Sequence, residues 1–206
     1  MPIAVLSGDI VASTALPRQR LDDVMSALAT AAGDMSTWHG AELRFTRQRG
    51  DGWQVVLAQP VRALRSALYM QSAIRALGKG ITTRISIATG AGGPGSGPDL
   101  NSATDAVFVA AGRGLDSMTG PERMRHASGG AIGAATRLAD LIAQEWTAAQ
   151  ARALHPMLVP GDPPRHADVA QRLGITRQAV TQALAAAGFD ALDAALRLIE
   201  QEDAAG

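Results

Sequence analysis

The chain has 206 residues, enough for one ordinary domain or a moderate domain with a small appendage. Nineteen basic and nineteen acidic side chains cancel, so no global charge draws it toward nucleic acid or an anionic membrane, and any nucleic-acid surface has to be a local patch. The absence of cysteine excludes disulfides, thiolate metal sites, iron–sulfur clusters and cysteine nucleophiles, and His39, His126, His155 and His166 share no ligand spacing, so neither zinc nor haem is expected.

Apolar residues make up 47% of the chain but aromatics only 3%, so the core has to come from Leu, Ile, Val, Met and many small contacts. The apolar opening Ile3–Leu6 stops at Ser7-Gly8-Asp9, too short for a signal-peptide core. No window approaches the roughly eighteen apolar residues of a membrane span, and a cytoplasmic protein without membrane contact is expected.

In chain order, Ile3–Leu6 reads as a short strand buried on both faces, ending in a polar turn at Ser7-Gly8-Asp9. Pro17 opens a helix whose residues Leu21, Val24, Met25, Leu28 and Ala32 share one face, and Gly40 ends it. Glu42–Arg47 and Trp53–Leu57 flank Gly50-Asp51-Gly52, a hairpin signal. Pro60 starts a second helix with Val61, Leu64, Leu68, Met70 and Ile74 inward, stopped by Gly78 and Gly80, and Thr82–Ala88 alternates as a fourth strand. This β-α-β-β-α-β order predicts an α+β, ferredoxin-like antiparallel sheet with helices on one face. Thr89–Pro98 holds five glycines and two prolines and reads as a loop. A helix over Asp105–Met118 and a strand over Arg123–Ala127 follow.

Ser128-Gly129-Gly130 is the expected boundary between an α/β sandwich of residues 1–128 and a helical domain of residues 131–206. Ile132–Glu145 and Ala148–Leu154 are expected helices, with Thr147 as N-cap of the second, and Pro160–Pro164 makes a turn. Residues 166–187 then carry a helix-turn-helix pattern. Ala170 supplies the small residue where two helices touch, Gly174 the residue tolerant of positive φ, and Val169, Leu173, Ile175, Val180 and Leu184 the inward positions. Thr176 caps the second helix and leaves Arg177, Gln178, Thr181 and Gln182 exposed; Arg172, Thr176, Arg177, Gln178, Thr181 and Gln182 are the candidate DNA contacts. So few cations make a monomer a weak DNA binder, and a homodimer is expected. The terminal helix, with Leu192, Leu196 and Ile199 on one face, either closes the core or forms that dimer contact.

In the N-terminal part, Asp9 at the end of the first strand and Asp51 at the hairpin tip are expected at one end of the sheet. Two carboxylates there, beside Ser13 and Thr14, suit a divalent metal, Mg or Mn, with a triphosphate. Gly8-Asp9-Ile10-Val11-Ala12-Ser13-Thr14, Arg49-Gly50-Asp51-Gly52-Trp53 and Arg84-Ile85-Ser86-Ile87-Ala88-Thr89-Gly90 resemble the three landmark segments of class III nucleotide cyclase domains. The resemblance implies that Asp9 and Asp51 bind the metal pair that activates the 3′-hydroxyl and holds the triphosphate. The Gly-Asp-Ile-Val opening followed by a C-terminal helix-turn-helix resembles the SatD family of small bacterial proteins, over nearly the whole chain.

The chain departs from the cyclase pattern on the helix after the fourth strand. Where the family carries Asn-x-x-x-Arg, this sequence has Val109 and Arg113. The base-reading lysine falls near Arg47, and Asp105 is a poor counterpart of the base-reading acid. The resemblance thus keeps the metal-binding half of the site, with Ser13, Thr14, Arg47 and Arg113 as candidate nucleotide contacts, and erodes the catalytic half. Three readings stay open: a DNA-binding regulator with a nucleotide-sensing or dimerising domain, an active metal-dependent nucleotidyl cyclase or palm-type enzyme, and a protein interaction module.

Overall fold

The structure is a computed structural model that describes residues 1–48, 50–93 and 99–202. Arg49, residues 94–98 of the glycine-rich stretch, and residues 203–206 lie outside the described residues.

β1 (Pro2–Ile10) is the central strand. It pairs antiparallel with β3 (Gly52–Leu57) on one side and β4 (Thr83–Ala91) on the other. β2 (Arg44–Arg47) borders β3, and β5 (Met124–His126) runs parallel to β4, giving the order β2-β3-β1-β4-β5 among the described residues. The first four strands have the predicted ferredoxin-like arrangement. Among the element ends that differ from the sequence reading, two lengthen the central strands. Ser7, Gly8 and Asp9 are strand rather than turn, because β3 and β4 take their backbone groups on both sides. Gly8 is needed there, since a Cβ would sit 2.4 Å from the Trp53 ring and 2.6 Å from the Arg84 carbonyl oxygen. Likewise Thr89–Ala91 belongs to β4, paired with Pro2–Ala4.

α1 (Arg18–His39) ends at Gly40, whose φ of 64° is the left-handed cap. α2 (Ala63–Arg75) follows a 3-10 turn at Pro60–Arg62. Both bury their apolar faces with Ala4, Leu6, Val55, Leu57, Ile85 and Ile87. α3 (Ala106–Asp116) places Val107, Phe108 and Ala111 against Ile3, Val5, Val56 and Ala88, which point the other way along the same strands. Helices therefore cover both faces of the sheet, not one. The strands are apolar on both sides, and β5 can join β4 in parallel only by a crossover.

After β5 the chain is helical: α4 (Gly130–Gln144), α5 (Ala148–Leu154), α6 (His166–Leu173), α7 (Arg177–Ala186) and α8 (Phe189–Glu202). Thr147 caps α5 in a reciprocal capping box with Gln150. Leu154, Leu158, Val169, Val180, Leu184, Leu192 and Leu196 continue the core that begins under α2. Of the two roles open to α8, it takes the first: Leu192 and Leu196 are buried and Ile199 packs against them. Among the described residues no helix is long and apolar enough to cross a membrane.

Candidate functional site

Asp9 and Asp51 meet at one end of the sheet. In the β1–β3 register Asp9 stands opposite Gly52, and the Ile10 amide donates to the Asp51 carbonyl at 3.2 Å, fixing the hairpin tip against the end of β1. The chain then turns through Ala12, a non-glycine residue at φ 53°, into the 3-10 turn Ser13–Ala15. Such a conformation is uncommon for an alanine and marks a backbone held by its surroundings. It brings Ser13 back over the hairpin, where its hydroxyl donates to Asp51 Oδ2.

These residues line a cavity of about 370 Å3 that also receives Thr14, Arg84 and Arg123. Sequence reasoning gave neither arginine a role. Arg84 lies directly across from Asp9 in the β1–β4 ladder and forks onto its carboxylate, Nε to Oδ1 at 2.9 Å and Nη2 to Oδ2. The hydrogen bond to Asp9 holds the guanidinium above its already high range, against the opposing effect of burial, with the Asp9, Asp116 and Asp51 charges adding to it. The signal in the sequence was Arg84's position as first residue of the third landmark segment. Seeing it face Asp9 required the strand register.

The cavity therefore holds two carboxylates, two hydroxyls and two guanidinium groups. Hard carboxylate oxygens, here from the end of β1 and the neighbouring hairpin tip, are the donors that Mg or Mn takes, and such ions commonly use one or two carboxylates with substrate phosphates completing the shell. No group of three or more His, Cys, Asp or Glu suited to a metal occurs among the described residues, so a metal ion at Asp9 and Asp51 would need other oxygens, such as those of a phosphate, to complete its shell. The donor set fits a metal–phosphate ligand. An ion has to compete with Arg84 for Asp9, which points to weak binding by the metal alone.

Arg47 and Arg113 lie outside this cavity. Arg47 pairs with Asp22 of α1 at 2.8 Å on the exposed side of β2. Arg113 lines a different cavity beside β5, and Val109, one helical turn before it, is 40% exposed. Asp105 sits at the start of α3, its carboxylate 3.4 Å from the Gly93 amide.

At the other end of the chain, α6 ends at Gly174 (φ 65°), and the Ile175 amide donates back to Ala170. Thr176 caps α7 by accepting from the Ala179 amide at 3.1 Å. Val169 and Val180 are buried between the two helices and α5. Thr181 is exposed, but its hydroxyl is engaged with His166 Nδ1 at 3.0 Å and the Arg177 carbonyl. Arg177, Gln178 and Gln182 form an exposed polar face on α7, and Arg172 is exposed on α6.

No protein-family model matches the chain, and no curated protein matches it in sequence. Solved structures do align with part of it. The guanylyl cyclase Cya2 is 21% identical, over 63% of this chain and 79% of its own, with a TM-score of 0.44. A dimeric guanylyl cyclase domain of the RhoGC fusion protein from the aquatic fungus Blastocladiella emersonii is 18% identical, over 57% of this chain and 74% of its own, with a TM-score of 0.40. At that distance the site is read from its own residues.

Proposed function

We propose that this chain is a cytoplasmic DNA-binding regulatory protein, active as a homodimer, whose N-terminal half binds a metal–nucleotide ligand as a sensor. The observation that carries the DNA-binding reading is the exposed face of α7. Arg177, Gln178 and Gln182 project from a helix whose opposite side is locked by Val180 and Leu184 and whose entry is set by the Gly174 turn. Guanidinium and amide groups on such a helix match base edges in a major groove. One copy offers only Arg165, Arg172 and Arg177 to phosphates, and two copies on one duplex double that number.

In fluorescence-anisotropy titrations at fixed salt, a selected inverted repeat with half-sites one helical turn apart, ~34 Å, is expected to bind more tightly than a scrambled duplex. Gln178→Ala or Gln182→Ala relaxes base preference, whereas Arg172→Ala weakens all duplexes evenly. No binding even at low salt rejects this reading.

The sensing half rests on Asp9 and Asp51 in one cavity with Ser13, Thr14, Arg84 and Arg123. Asp9 and Asp51 would hold Mg or Mn, which supplies positive charge to the triphosphate, and the two arginines add to that field. Binding is favoured over turnover by the positions of Arg47 and Arg113 outside this cavity and by Val109 at the asparagine position. A nucleoside triphosphate with Mn, at about 100 times its dissociation constant, is expected to stabilise the fold by about 2.7 kcal/mol. Asp51→Asn should abolish that gain. A melting temperature indifferent to every triphosphate with Mn retires the sensor, and accumulation of a cyclised product assigns the enzyme reading instead.

A further inference from the structure

A second cavity, of about 800 Å3, runs along the outer edge of β5 between α3 and α4, and none of its lining residues is shared with the Asp9–Asp51 cavity. Three elements each give it a guanidinium: Arg113 from α3, Arg125 from β5 and Arg137 from α4. Arg125 is held by the Glu122 carboxylate and Ser117 Oγ, the latter at 2.6 Å, and Arg137 by Asp140 Oδ2 at 2.6 Å. Arg113 makes no ion pair or side-chain hydrogen bond among the described residues. Even with Glu122 and the buried Asp140 counted, the wall keeps an excess of positive charge.

The β5–α4 connection adds neutral donors. Gly129 and Gly130 both take positive φ, 64° and 60°, and a Cβ built on either meets nothing within 4 Å, so backbone conformation and not crowding calls for glycine there. α4 begins without a side-chain cap and without an acidic residue in its first turn, which leaves its leading amides without a side-chain acceptor. Beside them His126, 7% exposed, accepts from the Ser128 amide through Nδ1 at 3.3 Å. The ring proton therefore sits on Nε2, which has no hydrogen-bond partner among the described residues.

We propose that this cavity binds a phosphorylated small molecule, its phosphate held by Arg113, Arg125 and Arg137 and by the amides at the start of α4. Guanidinium forks and helix-start amides are the donors that multiply charged oxyanions select, and the volume suits a ligand of nucleotide size. A small molecule fits better than a duplex because the cations line a recess with helices on two sides. This site is independent of the sensor proposed above.

The test is a pyrophosphate titration of the full chain followed by amide NMR, with ionic strength held constant by chloride. A saturable shift of the Gly130 amide, which lines the cavity and has no backbone acceptor among the described residues, is expected. Arg113→Ala should weaken binding by about tenfold, as loss of one charge-assisted contact does, without lowering the melting temperature, since Arg113 is exposed and unpaired. Arg113→Lys should recover part of the affinity. Shifts confined to Ser13 and Thr14, no saturation at millimolar pyrophosphate, or full affinity in Arg113→Ala each overturn the proposal. A loss of duplex affinity in Arg113→Ala as large as its loss of pyrophosphate affinity overturns the small-molecule assignment in favour of DNA phosphate.

Discussion

Arg65→Ala is expected to destabilise the fold by about 3–5 kcal/mol, the range for removing one partner of a buried ion pair. Arg65 lies in α2 and is 1% exposed. Its Nε and Nη2 donate to the two carboxylate oxygens of Glu200 at 2.5 and 3.1 Å, and its Nη1 to Asp193 Oδ1 at 2.8 Å. Both acids belong to α8, so one guanidinium ties the last helix to the helix that covers the sheet. Burial by itself raises the Asp193 carboxyl, but hydrogen bonds from Arg197 and Arg65 outweigh it and hold the group below its usual range. Without Arg65, Glu200 loses its cation and Asp193 keeps only Arg197, both at a half-buried site. A urea melt measures the loss. The control is Arg65→Met with Asp193→Leu and Glu200→Leu, which removes charge and partner together and is expected near the parent's stability. A single variant as stable as the parent shows that water reaches the triad and that α8 is held by Leu192 and Leu196 alone.

The elements were legible in the sequence because each carried local punctuation. Gly40 and Gly174 cap helices at positive φ, Thr147 and Thr176 open them, and Gly50–Gly52 turns the hairpin. The topology of the first four strands followed from their order. What escaped the sequence was pairing. Ser7-Gly8-Asp9 looked like a turn because small polar residues usually are, and only neighbours on both sides keep them in a strand. The same register sets Arg84 opposite Asp9, so a carboxylate that reads as a bare metal ligand already has a cation on it. Side assignment escaped as well: an amphipathic α3 does not say which face of the sheet it covers, and that choice separates Arg113 from the Asp9–Asp51 cavity. Arg65 gave no signal, since its acidic partners lie more than a hundred residues away.

Acidification is expected to remove up to about 3 kcal/mol of stability for each of two histidines, His39 buried and His155 partly buried, mainly between pH 6.5 and about 4. His39 accepts from the Gln59 amide through Nδ1 at 3.1 Å, so its ring is neutral with the proton on Nε2, which faces Ser66 Oγ at 3.0 Å. Burial, reinforced by the Arg62 charge, lowers its pKa to about 4. His155 stacks on Tyr69 with ring centroids 3.9 Å apart and bonds Ser72 Oγ at 2.9 Å through Nδ1. Burial lowers it to about 4 as well, although the Tyr69 backbone and the Asp34 charge oppose the shift. Both values lie below the 6.5 of an unfolded histidine, so across this window the unfolded chain binds more protons than the folded one. The stabilisation is complete above pH 6.5 and is lost as the pH falls toward the folded value of about 4. Neither ring lines the cavities proposed for nucleotide or phosphate, so the loss should appear in the melting temperature of the ligand-free chain. His39→Gln and His155→Gln lower stability at neutral pH, where each ring packs and hydrogen-bonds, and flatten the acid limb one histidine at a time. A parent melting temperature unchanged between neutral pH and pH ~5 means that both rings reach water and charge without unfolding.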